Sequence, residues 1–376
     1  YVPVCYCPKD EKRVTVLADG TQIKSGKLRG VVSEGMFCSI EELGLTLHDM
    51  PDAIEDGIFI LPKEYEDKIG MDIKEALMLD DTVVEFEITS NRPDCLSVIG
   101  LARETAISFD KPFNVPAPSV KELGDGDKID NYLSVKISDS DLCFRYAAKV
   151  VKNVKIAPSP LWLRMRLRAA GVRPINNVVD ITNYIVHAFG QPLHCFDAAK
   201  IKGGEVVVKT MPEGTPFVTL DEVERKLSER DLMICNKEEA MCIAGVFGGL
   251  DSGSTEATTD VFIESAYFHP TWVRKTARRH ALSTDASFRF ERGIDPNNTL
   301  YCLKLAALMV KELAGGTISS EIKDICAAPV ADFRVALTYN KVNSLIGKEI
   351  PAETIKRIVT SLEMNIVEET AEGLTL

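Results

Sequence analysis

The sequence predicts an α+β protein made of several domains, and three observations support this. The chain has 376 residues, which is more than one hydrophobic core usually organises. Segments with the two-residue period of strands are interspersed with segments of helical period. A stretch rich in proline, glycine and charge at 111–130, and a shorter one at 327–332, interrupt these segments as linkers do.

The first part of the chain predicts a small antiparallel β domain. Between Val14 and Leu61, glycines separate short apolar runs, and this spacing indicates a barrel-like fold. Asp81 to Ile88 alternate with period two and predict a strand, whereas Cys95 to Phe109 carry apolar residues at helical spacing. The predicted limits are 1–77 for the β domain, 78–115 for a small strand and helix piece, and 116–130 for a linker.

Residues 131–326 predict one α+β domain, and residues 331–376 predict a small separate domain. Gly315 and Gly316 mark the end of the last helix of the larger domain. Because the chain starts without methionine and stops within a predicted strand, we expect a fragment. The predicted elements are helices at Leu161–Ala170, Pro296–Ala314, Val342–Leu345 and Pro351–Leu362, strands at Glu205–Lys209, Phe333–Thr338 and Leu374–Leu376, and a hairpin at Glu213–Leu227.

The net charge of −12 argues against a protein that coats nucleic acid, because affinity for phosphate needs a local excess of lysine and arginine. Two basic patches remain, at 157–173 and at 274–292. Each patch predicts either a phosphate-binding surface or the solvated face of a helix beside acidic neighbours. The arginines of the first patch are Arg164, Arg166, Arg168 and Arg173.

The ten cysteines are scattered and include no Cys-x-x-Cys pair, so we expect reduced packing thiols and no metal site. Cys5 and Cys7 are the one close pair, and their alternation with Val4 and Tyr6 favours a strand edge. No apolar run approaches the roughly 20 residues that cross a bilayer, and no signal-peptide pattern opens the chain. We therefore expect a cytoplasmic protein.

Seven strings occur in one order over nearly all of the chain, and together they resemble the β subunits of bacterial phenylalanyl-tRNA synthetases. The long strings make this resemblance far more specific than any short motif. They are LRGVVSEGMFCSIEELGL at 28–45, EITSNRPDCLSVIGLARE at 87–104, PSPLWLRMRLRAAGVRPINNVVDITNYI at 158–185, GQPLHCFD at 190–197, AGVFGGLDS at 244–252, ESAYF at 264–268 and ARRHALSTDASFRFERGID at 277–295.

The resemblance implies an order of domains. Residues 1–77 would be the remainder of an oligonucleotide-binding (OB-like) barrel that touches tRNA, and 131–326 an editing module of the B3/B4 kind. Residues 331–376 would begin a helical, winged module of the B5 kind. The family's β subunit normally has more sequence at both ends, which again predicts a fragment.

The resemblance also implies where the activities lie. In this family the amino-acid activation site is in the α subunit, so we do not expect this chain alone to charge tRNA. ATP and Mg²⁺ are expected only for the full complex, and no cofactor or metal for this chain. The implied partners are the α subunit in an (αβ)₂ assembly, tRNA(Phe), and tyrosine or a tyrosyl ester in an editing pocket, with neither a membrane nor DNA.

Editing requires a site that prefers the wrong amino acid, and the resemblance assigns two residues to it. The aminoacylation site, which accepts phenylalanine, rejects tyrosine imperfectly. A second, hydrolytic site removes the tyrosine that was attached in error. Glu264 would accept a hydrogen bond from the phenolic hydroxyl; the alternative is an ion pair with Arg289 or Arg292. His194 would hold the terminal ribose or orient the attacking water, unless it is an ordinary hydrogen-bonded core histidine.

Other residues stand at family positions around the pocket. Thr182 and Thr284 would orient water and Ala286 would leave space, whereas Thr182 as a strand residue and Ala286 as a packing residue are the alternatives. Gly248 and Gly249 would let the backbone approach and offer N–H donors, or would be turn glycines. The tRNA-contact candidates are Arg164, Arg168, Arg278 and Arg279.

Cys195 departs from the family pattern, which commonly has alanine there. Adjacent residues of a strand point to opposite faces, so we do not expect Cys195 to act as a nucleophile beside His194. The alternative to an editing enzyme is a non-catalytic scaffold that binds tRNA.

Overall fold

A computed structural model describes residues 1–8, 14–114 and 127–376. Most of the predicted linker, 116–126, lies outside the described residues. Contacts group the chain into two compact units, one of residues 1–86 with 156–184 and one of 87–155 with 185–376. The predicted limits of the smaller domains stay predictions.

The mixture of strands and helices confirms the predicted α+β class. The helices are α1 Ile73–Ala76, α2 Val98–Ser108, α3 Leu161–Ala169, α4 Asn177–Phe189, α5 Pro270–Arg279, α6 Asp285–Phe290, α7 Asn298–Ala314, α8 Tyr339–Ile346 and α9 Ala352–Ser361. The strands are β1 Val4–Tyr6, β2 Thr15–Val16, β3 Gln22–Ile23, β4 Gly26–Leu28, β5 Val31–Ser33, β6 Gly35–Phe37, β7 Ser134–Ile137, β8 Cys143–Lys152, β9 Leu193–Asp197, β10 Glu205–Thr210, β11 Pro216–Val218, β12 Glu224–Lys226, β13 Leu232–Cys235, β14 Ala240–Ile243, β15 Phe247–Gly248, β16 Val261–Phe268, β17 Thr317–Ile318, β18 Lys323–Cys326, β19 Ala336–Thr338, β20 Glu368–Glu369 and β21 Gly373–Thr375.

The first unit contains short antiparallel ladders, in which β1 pairs with β6, β2 with β3 and β4 with β5. Apolar side chains from the long loops and from α3 form its larger core, to which Met165 contributes. Arg164 of α3 donates hydrogen bonds to the carbonyl oxygens of Ser159 and Asp49. The described strands of this unit form pairs and no closed barrel, so the barrel stays a prediction.

The second unit is built on two five-stranded sheets that share one hydrophobic core. The first has the order β15-β14-β13-β10-β7, in which β7 is parallel to β10. In the second, β16 lies between β8 and β9, and β17 and β18 pair with the other edge of β8. Phe196 and Phe262 of the second sheet and Val206 of the first belong to the shared core.

Helix α7 covers the other face of the second sheet. Its Thr299 carbonyl accepts a hydrogen bond of 2.9 Å from Ser265 Oγ on β16. The helix ends at Gly315, whose φ of 67° lies in the left-handed region that glycine adopts without strain. This confirms the end predicted from the sequence.

A small sheet with the order β19-β21-β20 ends the second unit. Helices α8 and α9 pack on it, and Ile355, Val359 and Leu374 form its core. The strand predicted from Phe333 is confirmed only from Ala336 onward, whereas both predicted helices are present.

The predicted strand at Asp81–Ile88 is wrong. These residues have no regular secondary structure, and Val83, Val84 and Phe86 are all exposed. An alternating strand needs a partner for its backbone and a core for its apolar face. Within the described part of the chain this segment has neither.

Candidate functional site

Glu264 and His194 are directly opposite one another on adjacent strands. In the antiparallel register of β16 and β9, Glu264 pairs with His194, and Ile263 pairs with Cys195. Because side chains alternate along a strand, Glu264 and His194 share one face and Cys195 is on the other. The predicted separation of His194 from Cys195 is thus confirmed.

Glu264 is buried without a charged partner. Its side chain is 4% exposed, and Oε1 has no hydrogen-bond partner in the described parts of the chain. Burial raises the pKa of its carboxyl to about 8 because a charged form is poorly solvated there. A carboxyl of this kind is available to a ligand.

The arginines expected as alternative partners of Glu264 are engaged elsewhere. Arg289 Nη1 is 3.0 Å from Asp285 Oδ1, and its Nε donates to the Leu96 carbonyl at 3.0 Å. Arg292 Nη1 is 2.6 Å from Glu291 Oε1. The ion-pair alternative for Glu264 is therefore wrong.

The imidazole of His194 is held in an apolar setting. Its ring packs edge-on against Phe196 with 4.4 Å between ring centroids, and Nε2 is buried without a partner among the residues described. Burial lowers the pKa of His194 to about 4, so the ring is neutral at pH 7. A hydrogen-bonded core histidine, the alternative interpretation, does not fit this partnerless nitrogen.

Gly248 gives His194 its space. A Cβ at this position would lie 3.0 Å from His194 Cε1 and 2.9 Å from Leu220 Cδ1, closer than side chains normally pack. Gly248 is on β15 at the edge of the first sheet. The structure thus places Gly248 of the first sheet beside His194 of the second.

Gly249 has a packing role in this structure. Its N–H donates to the Met241 carbonyl at 2.9 Å, so it is not free to bind an oxyanion. A Cβ here would lie 2.6 Å from that oxygen and 2.7 Å from Phe217 Cζ. These contacts favour the alternative of a structural glycine.

Thr284 and Ala286 lie at the start of α6. The hydroxyl of Thr284 caps the helix by accepting from Ser287 N at 3.1 Å, and donates to the Val246 carbonyl at 2.8 Å. Ala286 packs against the core shared by the two sheets. Thr284 thereby attaches α6 to the turn between β14 and β15, which leads into Gly248.

Thr182 is helical, and its interpretation as a strand residue is wrong. It lies within α4, where its hydroxyl donates to the Val179 carbonyl at 2.7 Å. Thr182 belongs to the first unit, whereas Glu264 and His194 belong to the second. Its role at the site stays a prediction.

Three of the four arginines predicted to contact tRNA are held by other residues of the chain, and the fourth forms no ion pair with a described residue. In the first unit, Arg164 is held by the Asp49 carbonyl, and Arg168 Nη2 donates to the Gly44 carbonyl at 2.8 Å. In the second unit, Arg279 is paired with the buried Asp231. Arg278 is exposed on α5.

The exposed face of α5 is basic. Arg274 and Lys275 are exposed beside Arg278, and none of the three forms an ion pair with a described residue. They supply three positive charges on a helix of ten residues. This face is the more suitable of the predicted patches for phosphate.

Tyr146 is a candidate that the sequence did not indicate. It lies on β8 with no exposed surface, and its hydroxyl has no partner in the described ranges. Tyrosine is common in strands, so nothing in the local sequence distinguishes it.

The cysteines and other metal-binding side chains are dispersed. The described residues contain no group of three or more His, Cys, Asp or Glu side chains placed to hold a metal ion. Nine of the ten cysteines are buried, and Cys326 is exposed. Among the helices described, none has the length and apolar character needed to cross a membrane.

Comparison with a family model identifies the class of domain that carries these residues. Residues 142–315 match the family described as the B3/4 domain, and this range contains Glu264, His194 and Gly248.

The relatives then define the family. Over 374 residues, the chain is 64% identical to the phenylalanine–tRNA ligase β subunit of Bacteroides fragilis strain YCH46, covering 96% of this chain and 44% of that protein. The β subunit of Porphyromonas gingivalis is 47% identical, with 94% of this chain and 42% of that protein covered. The chain belongs to the family of phenylalanine–tRNA ligase β subunits, as the seven strings predicted, and spans about 44% of the length of its relatives.

Solved structures also match this chain. One of them is an N-terminal fragment of the phenylalanyl-tRNA synthetase β subunit from Pyrococcus horikoshii, 16% identical, with a TM-score of 0.36 over 85% of this chain and 88% of that one. A likeness at this level does not define the fold.

Proposed function

We propose that this chain carries the hydrolytic editing site of a phenylalanine–tRNA ligase and removes tyrosine from misacylated tRNA(Phe). The pairing of Glu264 with His194 on one face of the sheet supports this, because each carries a buried polar atom without a described partner. B3/4 domains are the editing domains of this family, and the match covers both residues.

Glu264 is proposed to select tyrosine. Its carboxyl accepts a hydrogen bond from the phenolic hydroxyl, whereas phenylalanine leaves the buried oxygen unpaired. An unpaired buried group costs more than a hydrogen bond gains, so the site discriminates against the correct amino acid. This preference for tyrosine is the inverse of the preference for phenylalanine at an aminoacylation site.

His194 is proposed to arrange the ester and the attacking water. A neutral imidazole can accept a proton from water or hydrogen-bond the terminal ribose. Gly248 leaves room for the ring, because a Cβ at this position would lie 3.0 Å from His194 Cε1. An aminoacyl ester is already activated, so positioning of water can supply much of the acceleration. Thr284 and Ala286, which belong to the same unit as Glu264 and His194, are proposed to complete the pocket.

The proposed partners follow from the family. An α subunit would synthesise Phe-tRNA with ATP and Mg²⁺ in an (αβ)₂ assembly in the cytoplasm, and this chain would edit its errors. The exposed basic face of α5 is proposed to hold the tRNA backbone. Neither DNA nor a membrane is required.

The test is deacylation of Tyr-tRNA(Phe) and of a matched tRNA ester whose amino acid lacks the phenolic hydroxyl. E264A should slow tyrosine release about two- to tenfold relative to the other ester, since this variant removes the carboxyl that accepts one hydrogen bond. C195A is the matched control, because it changes the neighbouring strand residue on the opposite face and should leave the ratio unchanged. Equal losses for both esters would reject the selection role of Glu264.

The alternative is a non-catalytic subunit that only binds tRNA, which requires the basic face of α5 but no reactive pocket. Absence of deacylation by the wild-type chain, both alone and with the α subunit, together with tight tRNA binding, would establish this alternative. Deacylation only with the α subunit would instead support editing by the assembled enzyme.

A further inference from the structure

Tyr146 lies on the same sheet face as Glu264. In the register of β16 with β8, Glu264 is opposite Ala148 and Tyr146 is opposite Ala266. Tyr146 and Glu264 are therefore diagonal neighbours on adjacent strands, a distance that long side chains span. Both alanines belong to the shared core with Tyr146.

The two alanines matter because they are small. Ala148 is directly opposite Glu264 and Ala266 is directly opposite Tyr146, so neither polar side chain faces a large side chain across the pair of β8 and β16. His194 is opposite Glu264 on its other side, on β9. Three adjacent strands thus carry a tyrosine, a carboxyl and an imidazole on the same face of the sheet.

Each of these groups has an unused polar atom. Tyr146 Oη, Glu264 Oε1 and His194 Nε2 are buried, and none has a hydrogen-bond partner within the described ranges. Burying a hydroxyl or carboxyl without a partner is costly. Burial first, and the Glu264 carboxylate second, raise the pKa of Tyr146, so it remains an O–H donor at physiological pH.

We propose that Tyr146 is a second specificity-determining residue, which donates its O–H to the phenol oxygen of a bound tyrosyl group while the phenol donates to Glu264. This inference rests on the proposed function. A phenol is both a donor and an acceptor, so it satisfies both protein atoms at once. A phenylalanyl group leaves both unpaired.

The experiment measures binding of L-tyrosinamide and L-phenylalaninamide to the chain by calorimetry. Y146F should reduce the preference for tyrosinamide roughly two- to tenfold, the effect of one neutral hydrogen bond. Y301F is the matched control: Tyr301 is on α7, against the opposite face of the sheet, and its hydroxyl is also buried without a described partner. Y301F should leave the preference unchanged.

A ligand change provides a test that needs no altered protein. In 4-aminophenylalaninamide the amino group donates to Glu264 but accepts poorly, so the wild-type chain should bind it several-fold more weakly than tyrosinamide. Equal affinity for these ligands, an unchanged preference in Y146F, or no preference in the wild type would overturn the role of Tyr146. A purely structural role would weaken both amides equally in Y146F.

Binding and hydrolysis separate this inference from the proposed function. A chain that prefers tyrosinamide through Tyr146 but never deacylates Tyr-tRNA(Phe), even with the α subunit, would retain the inference and lose the editing activity.

Discussion

At the scale of single residues, burial sets the chemistry of Glu264 and His194 in the proposed site. Removal from water raises the pKa of Glu264 to about 8 and lowers that of His194 to about 4. Both groups are therefore mainly neutral at pH 7 and act through hydrogen bonds. Neither attracts the other as a charge, so a ligand does not have to break an ion pair in order to bind.

This burial makes stability depend on pH. The pKa of Glu264 is raised from 4.5 to about 8, so the native state binds the proton more tightly than the unfolded state, and stability falls as pH rises through this window. The depressed pKa of His194 acts in the opposite direction, but only between about 4 and 6.5. Between pH 6.5 and 8, the free energy of unfolding of the wild type should fall by about 2 kcal/mol more than that of E264Q.

Urea unfolding of both proteins at pH 6.5 and pH 8 measures this difference. The glutamine is nearly isosteric and does not titrate, so groups other than position 264 cancel in the comparison. Parallel loss of stability by the two proteins would show that Glu264 ionises normally.

Sequence patterns indicated these residues only through family resemblance. From the sequence, Glu264 could form an ion pair with Arg289 or Arg292. In the structure these arginines pair with other carboxylates instead. Which charge meets which is decided by packing between distant segments. Tyr146 shows the same limit, because its partnerless hydroxyl follows from burial and not from its neighbours in sequence.

At the scale of elements, local signals decided how well the sequence could be interpreted. Helices α7 and α9 were predicted within two residues because apolar period, proline and glycine mark their ends. The strand predicted at 81–88 failed because a strand depends on a partner that no local pattern reveals. The alternative that Thr182 is a strand residue was wrong for a similar reason, since the β-branched run around it lies in α4.

Because β15 lies close to β9 at Gly248, we expect that a larger residue at this position disturbs His194. G248A places a methyl group 3.0 Å from His194 Cε1 and should displace the imidazole, lowering the rate of Tyr-tRNA(Phe) deacylation about tenfold or more. The fold should persist, because the groups in contact are side chains that can move. Deacylation rate and melting temperature are the measurements.

G253A is the matched control for this change, since a Cβ there meets no atom within 4 Å. It should retain the wild-type rate. A G248A protein that is fully active would show that His194 needs no fixed position.

At the scale of the whole molecule, sequence order and spatial grouping differ. The stretch 156–184 groups with residues 1–86, although the B3/4 match runs through it without a break. Linkers rich in proline and glycine mark boundaries along the chain, but they do not show when a segment returns to an earlier unit. Family boundaries and compact units are therefore separate descriptions of this protein.

The net charge of −12 restricts the proposed binding of tRNA to local basic surfaces, and α5 offers such a surface. Replacing Arg274, Lys275 and Arg278 with glutamine should weaken tRNA binding at low salt. The slope of log K against log salt should also fall by about 1 for each phosphate that the variant no longer neutralises. Glutamine keeps the helix and the exposed surface. Binding titrations over a range of salt concentrations give both quantities.

The control removes equal charge elsewhere in the same unit, at the exposed Lys226, Arg230 and Lys237. If the face of α5 binds phosphate directly, only its variant changes the salt slope, because the slope counts the counterions that binding releases. If both triple variants weaken binding equally, overall charge and not this face governs the affinity. Amide binding in the pocket should be unaffected by either variant, since these side chains are exposed and Glu264 is buried; this separates the capture of tRNA from the recognition of its amino acid.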